Sequence, residues 1–205
     1  TRQIIHLVLA RIKGAEPGTR GLSLFLVPKR SFDRPDEMNH VSVSRLENKM
    51  GLKASPTCVL NFDQAVGYRI GKEGKGLNCL FTMMNLMRLE VASQSVGIAS
   101  AASQSAFNYA NERKQGGDSA SPITQHVDVQ RMLTTMQAYT GAMRALVLET
   151  SFNLDKSMHA ETEHKRAECL ALAEFLLPVC KAWCSDTAFQ LTNLGIQLMG
   201  GHGYI

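Results

Sequence analysis

Phosphate binding is the chemistry that two short segments of this sequence are best suited to provide. Arg113 stands in Glu-Arg-Lys-Gln-Gly at 112–116, and a guanidinium binds phosphate oxygens without losing its charge. Gln197 stands shortly before Gly200 and Gly201, and backbone N–H groups in a glycine turn converge on an anion. Both segments also have a structural interpretation, because cations and glycines commonly end helices. Considered together, they are candidate contacts for the phosphate and ribose groups of a ligand.

Arg88 is a second candidate, because it lies in a strongly apolar stretch. The apolar neighbours are Met83, Met84, Leu86, Met87 and Leu89. An unpaired cation in such surroundings is costly, so the side chain must find an anion or backbone carbonyls. Arg88 either extends its head to water along the surface or lines an active site. Glu90 is the nearest acid in the sequence, but residues two apart do not share a helix face.

Other patterns that commonly carry chemistry are weak here. Residues 71–76, Gly-Lys-Glu-Gly-Lys-Gly, lack the spacing of a phosphate loop and predict a linker that leads into a helix. The histidines are dispersed, and no Ser-His-Asp or Cys-His arrangement follows from their spacing. The five Cys residues include no C-x-x-C pair, which predicts core packing, a reducing compartment and no metal site.

The composition is that of a soluble globular protein. The 205 residues are 44% hydrophobic and 20% charged, enough for a sizeable core. No apolar run reaches the ~18 residues that a membrane span requires. The net charge of +4 comes from Lys and Arg scattered among acids, which argues against nucleic-acid binding and leaves a mild field that favours anionic small molecules.

The elements that must position these residues are of two kinds. Short apolar or alternating segments predict antiparallel strands, as part of a larger sheet, at 4–12, 22–27, 41–46 and 58–62. The Gly-Ala-Glu-Pro-Gly turn at 14–18 predicts a hairpin between the first two strands. An open sheet of this size leaves an edge or an apolar face that another element must cover.

After residue 70 the pattern becomes helical. Three long helices are predicted at about 77–114, 127–157 and 163–199, with a kink at Pro178 in the third. On the first helix, a stripe of small residues spaced four apart predicts close packing of a neighbouring helix. The members of this stripe are Ser93, Gly97, Ala101 and Ser105.

The predicted fold class is therefore α+β and mainly α. A partial antiparallel β segment is followed by three long helices of an incomplete antiparallel four-helix bundle. The predicted domains are 1–70 and 71–205. The sequence starts inside a predicted strand and stops after a glycine turn, so we expect it to be a piece of a longer protein.

Five segments, taken in order, resemble the acyl-CoA dehydrogenase family across essentially the whole chain. They are NKMGLKASPT at 48–57, GKG at 74–76, MMNLMR at 83–88, YANER at 109–113 and QLMGGHG at 197–203. The details resemble most the large bacterial subgroup, which includes enzymes similar to 3-methylmercaptopropionyl-CoA dehydrogenase. The resemblance implies that 1–70 is the end of a central β domain and that 71–205 is the C-terminal helical bundle domain without its last helix.

The resemblance implies FAD as the cofactor. Arg113 matches the arginine that binds the pyrophosphate, and Gln115 matches an adjacent contact, although Gly116 and Gly117 replace the aromatic residue and glycine that usually follow. The family residues that hold the distal half of the cofactor are matched here by Gln197, Gly200 and Gly201. In the family these groups bind the cofactor of a neighbouring subunit, so a homodimer or a dimer of dimers is implied.

The resemblance places the acyl-thioester substrate elsewhere on the first helix. Arg88 matches the arginine beside the acyl pocket, with Met84 and Met87 as further pocket residues. In most family members the catalytic Glu lies in a Tyr-Glu-Gly-Thr segment, expected here beyond Ile205. In other members the base immediately precedes the helix arginine, where this chain has Met87. We therefore assign no catalytic residue within the chain and expect residues 1–205 alone to be inactive.

The reaction implied is α,β-desaturation of an acyl-CoA to the trans-2-enoyl-CoA, by an oxidoreductase acting on CH–CH groups. An electron-transfer flavoprotein is the implied electron acceptor, and the bacterial cytoplasm is the implied location. One alternative is a flavoprotein acyl-CoA oxidase, in which O₂ reoxidises the flavin. Others are a nucleic-acid-binding relative that keeps the FAD fold and a catalytically dead helical scaffold.

Overall fold

A computed structural model describes residues 3–205, which form two units, one ending at residue 83 and the other covering residues 84–205. The first unit is mainly β structure and the second is mainly helical. The division into domains 1–70 and 71–205 stays a prediction. None of the helices formed by residues 3–205 has the length and the apolar character needed to cross a membrane.

A three-stranded antiparallel sheet is the larger sheet of the first unit. The strand β1 (Ile5–Arg11) pairs with β2 (Leu22–Pro28) as the predicted hairpin. A further strand, β5 (Tyr68–Ile70), pairs with the other edge of β2. Sequence patterning does not predict β5, since three residues are too few to show the alternation of a strand.

A separate two-stranded hairpin accounts for the remaining predicted strands. The bounds of β3 (Val41–Leu46) and β4 (Cys58–Phe62) are those that the sequence predicts, and the two strands pair antiparallel with each other. The sequence led us to expect a single larger sheet, whereas the first unit contains two. Among the described residues, β3 and β4 pair with each other and with no strand of the three-stranded sheet.

Asn39 fixes the segments that precede β3 and β5. Its side chain is 5% exposed, and Nδ2 donates to the carbonyls of Pro28 and Val66 at 2.8 Å each. Its Oδ1 accepts from the N–H of Val66, also at 2.8 Å. Three hydrogen bonds from one buried side chain therefore hold the end of β2 against the segment that leads to β5.

The glycine-rich segment at 71–76 leads into the first helix, as predicted. Gly74 has φ +69°, and a Cβ there would lie 2.6 Å from the carbonyl oxygen of Arg20. Its N–H donates to Oγ of Ser23 at 3.0 Å. A Cβ at Gly76 would lie 2.3 Å from the backbone of Ser23, so only glycine permits this close approach to the start of β2.

Three long helices follow, as predicted. They are α1 (Gly76–Glu112), α2 (Val127–His159) and α3 (Glu163–Met199). The first helix ends two residues earlier than predicted, because the chain leaves it to form a short hairpin of β6 (Lys114–Gln115) and β7 (Ser121–Pro122). The third helix continues through Pro178, and the kink at this residue stays a prediction.

The packed face of α1 differs from the face that the sequence predicts. The predicted stripe of Ser93, Gly97, Ala101 and Ser105 is exposed. The α1 residues that are completely buried in the core are instead Ala92, Ala99, Ala106 and Ala110. Both stripes consist of small residues at helical spacing, so sequence spacing alone does not distinguish between them. From α2 and α3, Met136, Met143 and Leu191 pack in the same core.

All five cysteines are free thiols; Cys169, Cys180 and Cys184 are buried, as core packing predicts, whereas Cys58 and Cys79 are partly exposed. Cys180 and Cys184 are completely buried on α3, and Sγ of Cys180 lies 2.9 Å from Oγ1 of Thr150. Burial raises the pKa of the Cys180 thiol, and it raises the pKa of Cys184 to about 11. Both thiols therefore stay protonated and unreactive over the physiological pH range.

A second apolar stripe on α3 is exposed. It contains Phe175 and Phe189, which are 68% and 76% exposed, together with Leu172, Val179 and Ile196. These residues recur at helical spacing on the side of α3 away from the buried residues. A helix that is apolar on two faces is typical of a bundle in which a further element packs on it, which agrees with the predicted incomplete bundle.

Candidate functional site

A cleft of about 410 Å³ lies where α1 and α3 both end. The hairpin after α1, the start of α2 and the 3₁₀ turn after α3 complete its walls. The lining residues are Tyr109, Arg113, Gln115, Ile123, Val129, Met132, Gln197, Leu198, Met199, Gly200, Gly201 and His202. The cleft lies entirely within the second unit. It brings together all five residues that the sequence predicts as contacts of a phosphate-bearing cofactor.

Arg113 is held in place through its backbone. Its N–H donates to the carbonyl of Tyr109 at 2.8 Å, which extends the last turn of α1. Its carbonyl accepts from the N–H of Ile123, also at 2.8 Å, across the β6–β7 hairpin. The guanidinium therefore starts from a backbone fixed on both sides, which reduces the entropy lost when it binds an anion.

The hairpin also explains the two glycines that follow Gln115. Gln115 pairs with Ser121, and the chain must reverse within the five residues between them. Gly116 and Gly117 take φ values of +120° and +59°, which residues with a Cβ rarely adopt. The departure from the usual family pattern at these positions therefore forms a tight turn that keeps Gln115 on the wall of the cleft.

The glycine turn after α3 forms the opposite wall. Gly200 ends the helix with φ +58°, and its N–H donates to the carbonyl of Gln197. Because this N–H closes the helix, it is not directed at a ligand in this conformation, which corrects part of the sequence-based expectation. A Cβ added to Gly200 or Gly201 would meet no protein atom within 4 Å. The space beside both glycines is thus open to a ligand.

Two polar residues of the cleft, Tyr109 and His202, were not predicted as site residues from the sequence. Oη of Tyr109 lies 3.4 Å from Nδ1 of His202, and the two rings pack with their centroids 5.7 Å apart. Tyr109 precedes Arg113 by four residues, so a shared helix face was the signal that could have identified it. His202 lies inside the quoted glycine motif, but its contact with Tyr109 spans 93 positions of the sequence.

The electrostatics of the cleft favour an anion. Arg113 contributes the one permanent cation among the lining residues, and none of the lining residues is Asp or Glu. Gln115 and Gln197 supply amide groups, and Nε2 of Gln197 donates to Oη of Tyr204. Ile123, Val129 and Met132 supply an apolar wall. This combination suits the binding of a phosphorylated molecule with a flat ring, and it contains no nucleophile paired with a base.

The predicted substrate residues do not join this cleft. Met84, Met87 and Arg88 share one face of α1, and 25 residues of helix separate Arg88 from Arg113, or roughly 37 Å. Nη1 of Arg88 donates to Oδ1 of Asn85 at 3.1 Å, and Met84 and Met87 are 37% and 45% exposed. Arg88 is therefore half-buried and hydrogen-bonded on α1, and the substrate role of these three residues stays a prediction.

A larger groove of about 930 Å³ lies between α1 and α2. Hydroxyl and amide side chains line most of it, and Arg144 donates from Nη2 to Oγ of Ser100 at 3.4 Å across it. Ser103 and Thr140 also approach each other across the groove, at 3.3 Å between their hydroxyl oxygens. These contacts explain how two polar helix faces lie side by side, and they bring no reactive groups together.

Comparison with known proteins gives a consistent family match. Residues 74–205 match the family model described as acyl-CoA dehydrogenase, C-terminal domain. The chain is 43% identical to 3-methylmercaptopropionyl-CoA dehydrogenase of Ruegeria pomeroyi, an alignment that covers 100% of this chain and 36% of that protein. The chain thus spans little more than a third of the length of this relative.

Solved structures show the same fold. The crystal structure of Caenorhabditis elegans ACDH-11 in complex with C11-CoA superposes with a TM-score of 0.85 at 29% identity, covering 98% of this chain and 33% of that one. The acyl-CoA dehydrogenase of Bacillus anthracis complexed with FAD superposes with a TM-score of 0.77 at 27% identity, covering 98% of this chain and 34% of that one.

Proposed function

Since this chain belongs to the acyl-CoA dehydrogenase family, we propose that the protein it comes from is an FAD-dependent acyl-CoA dehydrogenase. The reaction is the α,β-desaturation of an acyl-CoA thioester to the trans-2-enoyl-CoA. The observation that carries the proposal is the cleft in which Arg113, Gln115, Gln197, Gly200 and Gly201 meet. These five residues come from distant parts of the sequence, and they form one binding surface for an anion.

The chemistry of the cleft fits the adenosine diphosphate end of FAD. The guanidinium of Arg113 binds the pyrophosphate, and the amides of Gln115 and Gln197 bind phosphate or ribose oxygens. The open space beside Gly200 and Gly201 lets the cofactor approach the main chain closely. The absence of carboxylates among the lining residues removes a charge that would repel the diphosphate. When bound, FAD supplies the group that accepts the β-hydrogen of the substrate as hydride.

On the substrate side, we assign Met84, Met87 and Arg88 to the wall of the acyl-thioester pocket. Flexible Met side chains adapt to acyl groups of different shapes. The related ACDH-11 was crystallised with C11-CoA, which supports a thioester ligand for this fold. Met87 has no group that accepts a proton, so the proposal assigns the catalytic base to no residue of this chain. Residues 1–205 alone are thus proposed to bind without turning over.

The proposal includes a second copy of the protein, an electron acceptor and a cellular compartment. We propose a homodimer or a dimer of dimers, because the resemblance implies that the residues of this cleft bind the cofactor of a neighbouring subunit. An electron-transfer flavoprotein is the proposed electron acceptor. The five free thiols are consistent with a reducing compartment, and we propose the bacterial cytoplasm.

The charges of the helical region do not favour the nucleic-acid-binding alternative. Residues 71–205 contain 11 Lys and Arg against 12 Asp and Glu. Nucleic-acid binding depends on many cations placed along one surface, and it weakens steeply with salt. Residues 1–70 contain 11 Lys and Arg against 6 Asp and Glu, so the positive charge of the chain lies outside the helical bundle.

An anaerobic titration of the whole protein with acyl-CoAs of increasing chain length tests the proposed reaction. Loss of the oxidised-flavin absorbance with one range of chain lengths is the expected result. Reoxidation by an electron-transfer flavoprotein, rather than by O₂ with peroxide formation, separates the dehydrogenase from the oxidase. A flavin-loaded protein that no acyl-CoA reduces would refute the proposal.

The role of Arg113 is tested by Arg113→Met in the same protein. We expect the Kd for FAD to rise by about 10- to 100-fold, since one charge-assisted contact to a phosphate is lost. Arg131→Met is the matched control, because Arg131 is exposed on α2 and pairs with Asp128 at 2.9 Å. Equal affinities of the two variants would show that the cleft does not hold the cofactor.

A further inference from the structure

The contact between Tyr109 and His202 is not explained by the proposed contacts of the cleft. Tyr109 lies on the last full turn of α1, whereas His202 belongs to the 3₁₀ turn after α3. Their rings pack at 5.7 Å between centroids, and Oη of Tyr109 lies 3.4 Å from Nδ1 of His202. Both side chains line the cleft that contains Arg113.

The direction of this hydrogen bond decides which imidazole nitrogen is left as a donor. In a neutral imidazole one nitrogen carries the hydrogen and the other accepts. If the phenol of Tyr109 donates to Nδ1, the hydrogen resides on Nε2, at the opposite side of the ring. Within residues 3–205, the one hydrogen bond of the His202 side chain is the contact with Tyr109. With Tyr109 as the donor, Nε2 is left as an N–H donor on a residue that lines an anion-binding cleft.

The surroundings of His202 match this donor role. Arg113 is the permanent cation of the cleft, and the remaining polar side chains that line it are Gln115, Gln197 and Tyr109. None of them is an acid that would accept a hydrogen bond from Nε2. The exposed imidazole thus has its best acceptor in an anionic oxygen of a bound ligand.

We propose that His202 is a further cofactor-binding residue, which donates from Nε2 to a phosphate oxygen of the ligand, and that Tyr109 is a positioning residue that fixes its tautomer and ring orientation. The inference rests on the proposed function, because the phosphate belongs to the diphosphate of FAD. It adds to the Arg113 contact a neutral donor on the opposite wall of the cleft. The diphosphate is then held from the ends of both α1 and α3.

The test uses three variants of the whole protein. His202→Leu removes both nitrogens, whereas His202→Gln keeps an amide donor near the position of Nε2. Tyr109→Phe removes only the hydroxyl and keeps the ring packing against the imidazole. Tyr139→Phe is the matched control, because Tyr139 also packs against an aromatic ring, that of Trp183 at 6.3 Å, but lies outside the cleft.

The expected result is a graded loss of FAD affinity. The Kd for FAD rises about 10-fold in His202→Leu and about 3-fold in Tyr109→Phe, with His202→Gln within about 3-fold of the wild type. Thermal unfolding without FAD is measured alongside, and we expect it to be the same in all variants. If Tyr109 and His202 only stabilised the end of α3, the unfolding midpoint would fall while FAD affinity did not.

A spectroscopic measurement tests the positioning role directly. The ring-nitrogen chemical shifts of ¹⁵N-labelled histidine distinguish the two neutral tautomers. We expect the Nε2–H form of His202 in the wild type and in Tyr139→Phe, and a mixture in Tyr109→Phe. An Nδ1–H tautomer in the wild type would overturn the assignment of Tyr109 as the donor.

Failure of the inference is distinguishable from failure of the proposed function. If the wild type binds no FAD, both the function and the phosphate ligand are refuted. If the wild type binds FAD and His202→Leu binds it equally well, the proposed function stands and the role of His202 is refuted.

Discussion

Replacing Gly201 with alanine separates the folding role of the glycine turn from its ligand-binding role. A Cβ at Gly201 would meet no protein atom within 4 Å, and the residue does not have a positive φ. The folded chain therefore accepts the methyl group without strain. Because alanine restricts the unfolded chain more than glycine does, we expect the free energy of unfolding to stay equal or rise by up to about 1 kcal/mol.

The affinity for the cofactor is expected to fall in Gly201→Ala, although the stability of the fold does not. The methyl group enters the part of the cleft that is free of protein atoms, where the proposed cofactor approaches the main chain. Losing one close contact, and moving the ligand by part of a methyl radius, costs about 1.4 kcal/mol or more, which is a 10-fold rise in Kd. The expected loss of affinity comes from the position of the methyl group and not from a smaller cleft, since one methyl group occupies little of the 410 Å³.

The assay is FAD binding to the apoprotein, followed by flavin fluorescence, with urea unfolding measured in parallel. Gly97→Ala is the control, because Gly97 lies on the exposed face of α1 and its added Cβ would also meet no atom within 4 Å. Gly203→Ala is the contrasting variant, because its Cβ would lie 2.4 Å from the carbonyl oxygen of Ile196 and must disturb the turn itself. If Gly201→Ala binds FAD as tightly as Gly97→Ala does, the cofactor does not occupy this side of the cleft.

Three further predictions concern the fold. Asn39→Ala should lower the free energy of unfolding by about 2–4 kcal/mol, because three hydrogen bonds are lost and backbone groups lose their partner. Urea unfolding measures this loss, with the exposed Asn61→Ala as the control, and equal stabilities of the two variants would contradict the prediction. Ala99→Leu should lower the free energy of unfolding by about 1–3 kcal/mol, because Ala99 is completely buried. Ala101→Leu on the exposed stripe should change it little. A larger loss in Ala101→Leu than in Ala99→Leu would mean that the stripe predicted from the sequence is the packed one. Cys184 should make stability depend on pH: its folded pKa of about 11 exceeds the unfolded value of 9.0, so its contribution is complete below pH 9 and falls by about 2–3 kcal/mol as pH rises towards 11. Urea unfolding under reducing conditions at pH 8 and pH 10.5 should show a smaller loss in Cys184→Ala, and an identical loss would exclude this thiol as the cause.

The third helix shows how far local sequence defines an element. Its bounds follow from Thr162, whose hydroxyl accepts from the N–H of Lys165 at 3.3 Å, and from Gly200, which takes a positive φ. These are local interactions between residues close in sequence. For the same reason, the bounds of β3 and β4 agree with the alternation of their residues.

The first helix shows the limit of such reasoning. Its period identifies a helix, yet two neighbouring stripes of small residues, one containing Ala99 and the other Ala101, satisfy the same spacing. The choice depends on where Met136 and Met143 of α2 lie against α1, which is a matter of tertiary packing. The same limit applies to the three-stranded sheet, because β5 is recognisable only by its pairing with β2 and not by its own residues.

For the candidate site, the residue types and the turns can be read from short segments: Arg113 at a helix end, Gln197 before a pair of glycines, and no acidic residue where Met87 stands. No short segment shows that the two helix ends meet in one cleft or that His202 lies against Tyr109; both follow from the packing of the helices. The difference comes from the distance along the sequence over which each feature forms. Caps and turns form between residues a few positions apart, whereas a binding cleft depends on how long helices pack against one another, which no short segment specifies.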